Sequence, residues 1–145
     1  TIHPTKTRIV DIRETGFDFL GYHFQTVRSG RIRHWPREKS LAKFKDGVRK
    51  KSGRSNGHSL PAIIRDVNAS LKGWFEYFKH SCHPTFPPLD SWIRKRLRSI
   101  LRKRSGRQGP GRGHDHFRWP DKFFASLGLY DLTTNHRPKV QPCLR

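Results

Sequence analysis

The chain has 145 residues, 31 Lys and Arg against 11 Asp and Glu, a formal net charge of +20 and 12% aromatic residues. That length allows one modest core or two small subdomains, and the aromatic content excludes a disordered basic tail, which would be poor in Phe and Trp. Folding has no need of so large a charge excess, which points to a polyanionic partner.

Residues 1–36 read as β. A short apolar run, Ile9, Val10 and Ile12, precedes Phe17, Phe19, Tyr22, Phe24 and Val27, an aromatic and β-branched patch of the kind that forms strands. Gly30 can supply the positive φ of a hairpin turn, with Ile32 and Trp35 on the returning strand and Pro36 at its end. Gly21, inside the first strand, suggests a bulge or a close approach by another part of the chain. Residues 37–56 carry a weaker helical pattern through Leu41, Phe44 and Val48. Eleven Lys and Arg fall between Arg28 and Arg54, against only Glu38 and Asp46. KKSGRSNGH (50–58) is a loop by composition.

The clearest element is SLPAIIRDVNASLKGWFEYFK (59–79). Leu60, Ile63, Ile64, Val67, Leu71, Trp74, Phe75 and Phe78 recur at the three-and-four spacing of one helical face. Ser59 stands at the N-cap position and Pro61 in the first turn, where an amide hydrogen is not needed. Gly73 costs about 1 kcal/mol in a helix interior, so it is expected to admit a close neighbour. The three prolines of SCHPTFPP (81–88) end the helix.

Leu89–Arg104 predicts a third helix with Leu89, Trp92, Ile93, Leu97, Ile100 and Leu101 as its buried stripe. Arg94, Arg98 and Arg102, spaced by four, stack on one side beside Lys95, and Ser91 to Arg112 contains nine Lys and Arg with no acid. An acid-free run along an amphipathic helix reads as a phosphate-contacting face. The expected RNA-binding residues are therefore Lys43, Arg49, Lys50, Lys51, Arg54, Arg94, Lys95, Arg98 and Arg102. SGRQGPGRGHDH (105–116) reads as a basic Gly-rich linker without the spacing of a Walker loop. Phe117, Trp119, Phe123, Phe124, Leu127, Leu129 and Tyr130 predict a small helix that packs back, and 133–145 a flexible tail.

No constellation for chemistry emerges. His80, Cys82 and His83 cluster, as do His114 and His116, but no spacing matches a standard zinc site, so no metal is expected in this chain. No pair of aspartates is placed for a metal-ion mechanism. Cys82 and Cys143 make no disulfide framework, no signal peptide is evident, and no run reaches the roughly 18 apolar residues of a membrane span. Methionine is absent even at position 1, so these residues are expected to be part of a longer or processed chain.

The combination of segments resembles a known family. HPTKTRIVDI (3–12) and GFDFLGYHF (16–24) resemble the end of the palm of group II intron reverse transcriptases. Residues 59–79 resemble their maturase-specific thumb region, domain X, and LDSWIRKRLRSILRKR (89–104) and WPDKFFASLGLYDL (119–132) resemble its later helix and closing segment. The resemblance implies an α+β chain, mainly α: the palm end with a primer-grip hairpin (1–36), a basic three-helix thumb (37–104), the linker (105–116), the closing segment (117–132) and the tail (133–145). It implies that Phe19, Leu20, Gly21 and Tyr22 grip the primer and that Lys6 lies near a nucleotide phosphate. The implied partners are structured intron RNA, template–primer duplex and the upstream fingers and palm, in a bacterial cytoplasm or an organellar matrix. The paired aspartates that hold Mg2+ in the full-length enzyme would lie upstream of Thr1, so this chain is expected to be inactive alone as an RNA-directed DNA polymerase. A stand-alone basic RNA-binding module of ribosomal or chaperone type is the alternative reading of the same charge.

Overall fold

The computed structural model describes residue 9 and residues 11–136. Three antiparallel strands, β1 (Phe17–Phe19), β2 (Tyr22–Thr26) and β3 (Ile32–Pro36), form a sheet in that order. Three main helices follow: α1 (Glu38–Lys51), α2 (Leu60–Phe78) and α3 (Phe86–Arg104). Short helices α4 (Asp115–Arg118), α5 (Asp121–Ser126) and α6 (Leu132–His136) complete the described residues. The expected α+β class with a three-helix bundle is what the chain adopts. None of the described helices is long and apolar enough to cross a membrane.

The sheet departs from the expected hairpin. Its first strand was expected to run through Gly21, but Phe19 pairs with Tyr22, so Leu20 and Gly21 form a two-residue turn that makes three strands of two. Both turn residues have positive φ, 49° at Leu20 and 84° at Gly21, as a type I′ turn demands. Between β2 and β3 the turn centres on Gly30, at φ 79°, where positive φ was expected.

α2 forms as its sequence dictates. The Ser59 hydroxyl accepts from the Ala62 amide, and Pro61 occupies the first turn. Leu60, Ile63, Ile64, Val67, Leu71, Phe75 and Phe78 are buried, where they meet Phe44 and Val48 of α1 and Phe86, Leu89, Ile93, Leu97 and Ile100 of α3. Trp74 and Trp92, expected in the buried stripes, are only half-buried at the edge of this core. Gly73 faces open space, with nothing within 4 Å of the position its Cβ would take, so the expected close neighbour is absent among the described residues.

The segment read as a linker packs onto α3. A Cβ at Gly111 would lie 2.5 Å from the Arg98 Cβ, and the Gly111 amide donates to the Ser99 hydroxyl at 2.9 Å; only glycine fits a contact that close. The expected tail is structured as far as residue 136. Leu132 and His136 are buried, and the Asp90 carboxylate accepts from the Leu132 and Thr133 amides and the Thr133 hydroxyl. These bonds favour ionised Asp90, but burial outweighs them and raises its pKa above the ordinary carboxylate value.

Candidate nucleic-acid interface

Helix α3 sorts its cations onto two sides. On one, Arg98 is only 2% exposed; its Nε donates to the Trp119 carbonyl at 2.9 Å and its Nη2 to Asp121 at 2.5 Å. Arg94 reaches Asp121 at 3.1 Å and Asp131 at 3.4 Å. Arg102 donates to the Gln108 carbonyl and, at 2.8 Å, to buried Asp115. Asp115 is held below the usual carboxylate range, first by the Arg112 amide and, against the cost of burial, by Arg102. Arg94, Arg98 and Arg102, expected to contact phosphate, thus all have acid partners within the chain. These guanidiniums bind the 105–131 segment to α3, because the acids that neutralise them arrive later in the chain.

On the other side most cations lack an acid partner among the described residues. Trp92 has three cations over its indole: Lys45 Nζ and the Arg49 Cζ at 5.6 Å each, and the Arg96 Cζ at 5.4 Å. Arg96 is fixed by bonds from Nε and Nη2 to the Ser52 hydroxyl and carbonyl, at 2.8 and 3.0 Å. Burial, and then the neighbouring Arg49, lower its pKa. Beside the indole lies a hollow of about 280 Å³ lined by Arg54, Trp92, Lys95, Arg96, Ser99 and Pro110. Among the described residues, Lys45, Arg54, Lys95 and Arg96 have no carboxylate partner; Arg49 alone of this group has one, Asp46 at 2.6 Å.

A second basic feature lies beside the hairpin tip. A groove of about 470 Å³ is lined by residues that include Leu20, Gly21, Lys43, Gly47, Trp74 and Tyr77. Trp74 stacks on Phe44 with centroids 4.4 Å apart, and its Nε1 is buried without a hydrogen-bond partner.

The chain matches the model of the group II intron, maturase-specific domain over residues 41–119. The chain belongs to the group II intron maturase family. No curated protein matches it. The maturase-specific residues take in α1 from Leu41, all of α2 and α3, and the packed 105–119 segment. The uncompensated cations around Trp92 thus all fall inside the family's own domain, while the three-stranded sheet precedes it.

The remaining expected site residues fall in different places on this maturase. Lys50 is exposed on α1, but Lys51 is engaged: its Nζ donates to the Asp66 carbonyl and the Ser70 hydroxyl on α2. Phe19 and Leu20 are exposed, at 59% and 67%. The Leu20 carbonyl accepts from the Tyr77 hydroxyl at 2.6 Å, and the Gly21 carbonyl from the Arg37 amide and the Ser40 hydroxyl. Tyr22 donates back to the Tyr77 carbonyl; burial, with Tyr77 second, raises its pKa and keeps it a donor. α1 and α2 together hold the tip in a backbone conformation that leucine rarely adopts. Lys6 lies outside the described residues. Sequence reasoning missed Lys45, Trp92 and Arg96; the readable signal was a Trp and an Arg four apart on a helix, which places them on one face.

Asp11 and Asp18, the aspartates nearest the hairpin in sequence, are each engaged locally. Asp18 is bonded to His23 Nδ1 at 2.7 Å and Asp11 to the Arg13 amide at 2.8 Å. No group of three or more His, Cys, Asp or Glu among the described residues is placed to hold a metal. No step through magnesium follows from these residues.

The docked tip gives a direct test. A Cβ at Gly21 would sit 3.3 Å from the Ser40 hydroxyl and 3.4 Å from Phe78, at φ 84°. Gly21→Ala should therefore cost about 1–2 kcal/mol, the penalty of left-handed backbone for an L-residue, read as a lower midpoint in chemical denaturation. An unchanged midpoint would mean that the tip is free to leave α2.

Proposed function

We propose that this chain is the RNA-binding C-terminal part of a group II intron-encoded reverse transcriptase and maturase. It binds structured intron RNA to assist splicing, and in the full-length enzyme it grips template–primer through the Phe19–Tyr22 tip. The observation that carries the reading is the set of cations beside Trp92, of which Lys45, Arg54, Lys95 and Arg96 have no acid partner among the described residues. An unpaired basic face attracts phosphate and releases its counterions on binding. The upstream fingers and palm are the protein partners this reading implies, with Mg2+ held there, in a bacterial cytoplasm or an organellar matrix.

The test is binding of the chain to a structured intron RNA across a salt series. We expect affinity to fall linearly on a log–log plot. Changing Lys50, Arg54 and Lys95 together to Gln should reduce the slope by roughly two units, since each lost phosphate contact removes about 0.7–0.9. Flat salt dependence of the unaltered chain would overturn the reading.

A further inference from the structure

Five cations converge near one indole: Lys45, Arg49 and Arg96 over the ring, Arg54 and Lys95 around the adjoining hollow. Each cation–π contact is worth about 0.5–1 kcal/mol at a partly exposed site, and like charges at these spacings oppose one another; Arg49 already disfavours the charge on Arg96. Asp46, on Arg49, is the one acid paired with any of the five among the described residues. Arg96 is pinned by Ser52 through Nε and Nη2, while its Nη1 has no hydrogen-bond partner among the described residues. Ser52 is itself buried and bonded to the Val48 carbonyl at 2.6 Å, so this guanidinium is mounted rigidly on the end of α1. The indole and Ser52 thus fix positive groups in advance, the preorganisation that lowers the cost of binding an anion.

We propose that Trp92 organises Lys45, Arg49, Arg54, Lys95 and Arg96 into a receptor for a single phosphate group between α1 and α3, with the RNA backbone as its source. This rests on the RNA-binding reading above and goes beyond it by naming the anchor point. It gives Trp92 a positioning role. The indole contacts no phosphate; it holds the groups that do.

The two roles an indole could have here, holding cations or filling space, separate by substitution. Phe keeps a π face, though a weaker one, and Leu keeps apolar bulk without one. The experiment measures binding of the whole chain to a fluorescent RNA hairpin at fixed salt, with thermal melting to confirm that each variant folds. Trp92→Leu should weaken binding at least fivefold, while Trp92→Phe stays within about threefold of the parent. If both variants bind as the parent does, or both lose the same factor, the positioning role is overturned. Should Trp92→Leu fail to fold, the double variant Lys45→Gln/Arg49→Gln decides, since neither residue is buried. It should lower the salt slope by roughly one to two units, and an unchanged slope overturns the receptor. Inorganic phosphate exchanged for chloride at constant ionic strength should displace the hairpin from the parent more readily than from the double variant. Equal displacement would overturn it too. A parent chain that does not bind RNA at all would sink the functional reading instead, so the two failures are distinguishable.

Discussion

Replacing Arg98 by Ala should destabilise the chain by about 2–5 kcal/mol, the range for deleting a long buried side chain. Three contributions add. The stem lies directly under Gly111, the guanidinium sits 5.3 Å over the Phe124 ring, and its bonds hold the Trp119 carbonyl and Asp121. Asp121 is 62% exposed and keeps Arg94 at 3.1 Å, so its charge stays compensated once Arg98 is gone; the loss lies in packing and in the Trp119 carbonyl. Arg98→Met separates the two, because it keeps most of the stem and discards the hydrogen bonds. Met should lose clearly less than Ala in chemical denaturation, with Lys95→Ala, exposed on the same helix, within about 0.5 kcal/mol of the parent. Equal losses for Met and Ala would assign the whole effect to the guanidinium. A loss for Arg98→Ala no larger than that for Lys95→Ala would return Arg98 to the solvent-facing stripe that the sequence suggests.

That contrast explains what could be read from the chain and what could not. α2 was legible because its information is local: the apolar spacing and Pro61 lie within its own 19 residues, and the Ser59 cap directly precedes them. The Leu20–Gly21 turn was not. Leucine is not a residue that favours positive φ, and what holds it there comes from Arg37, Ser40 and Tyr77. The ion pairs of the α3 arginines were hidden for the same reason. Their acids lie 13, 23 and 37 positions downstream for Arg102, Arg98 and Arg94, and no window on the helix contains them. Net charge was a sound guide to the existence of a basic face. It could not say which cations are spent internally, and that decision moves the candidate site from Arg94, Arg98 and Arg102 to the Trp92 side of the same helix.

The segment from 105 to 116 misled through composition. Glycine, proline and basic residues ordinarily mark a flexible linker. Here Gly111 is required by contact with Arg98, and Asp115 by its bonds to Arg102 and the Arg112 amide. The family match running unbroken through this segment to residue 119 agrees with its place in the packed domain.

Phe75→Ala should lower stability by about 3–5 kcal/mol, and by more than Trp74→Ala, although the sequence puts both on one stripe. Phe75 is fully buried at 0% exposure, meeting Phe86 and Tyr130 edge-on at 5.6 and 5.8 Å. Removing it leaves a cavity where α2, α3 and the closing segment meet, and such sites collapse poorly. Trp74 has the larger ring but stands half-buried beside an open groove, where solvent or a neighbouring side chain can fill the space it vacates. Its Nε1 also lacks a hydrogen bond, an existing cost that truncation removes. With a domain of this size stable by only some 5–15 kcal/mol, the Phe75 variant should lose a large share of its resistance to denaturant, and the Trp74 variant a smaller one. If Trp74→Ala proves the more damaging of the two, the core is centred on the groove side of α2, and the order of burial described here is wrong.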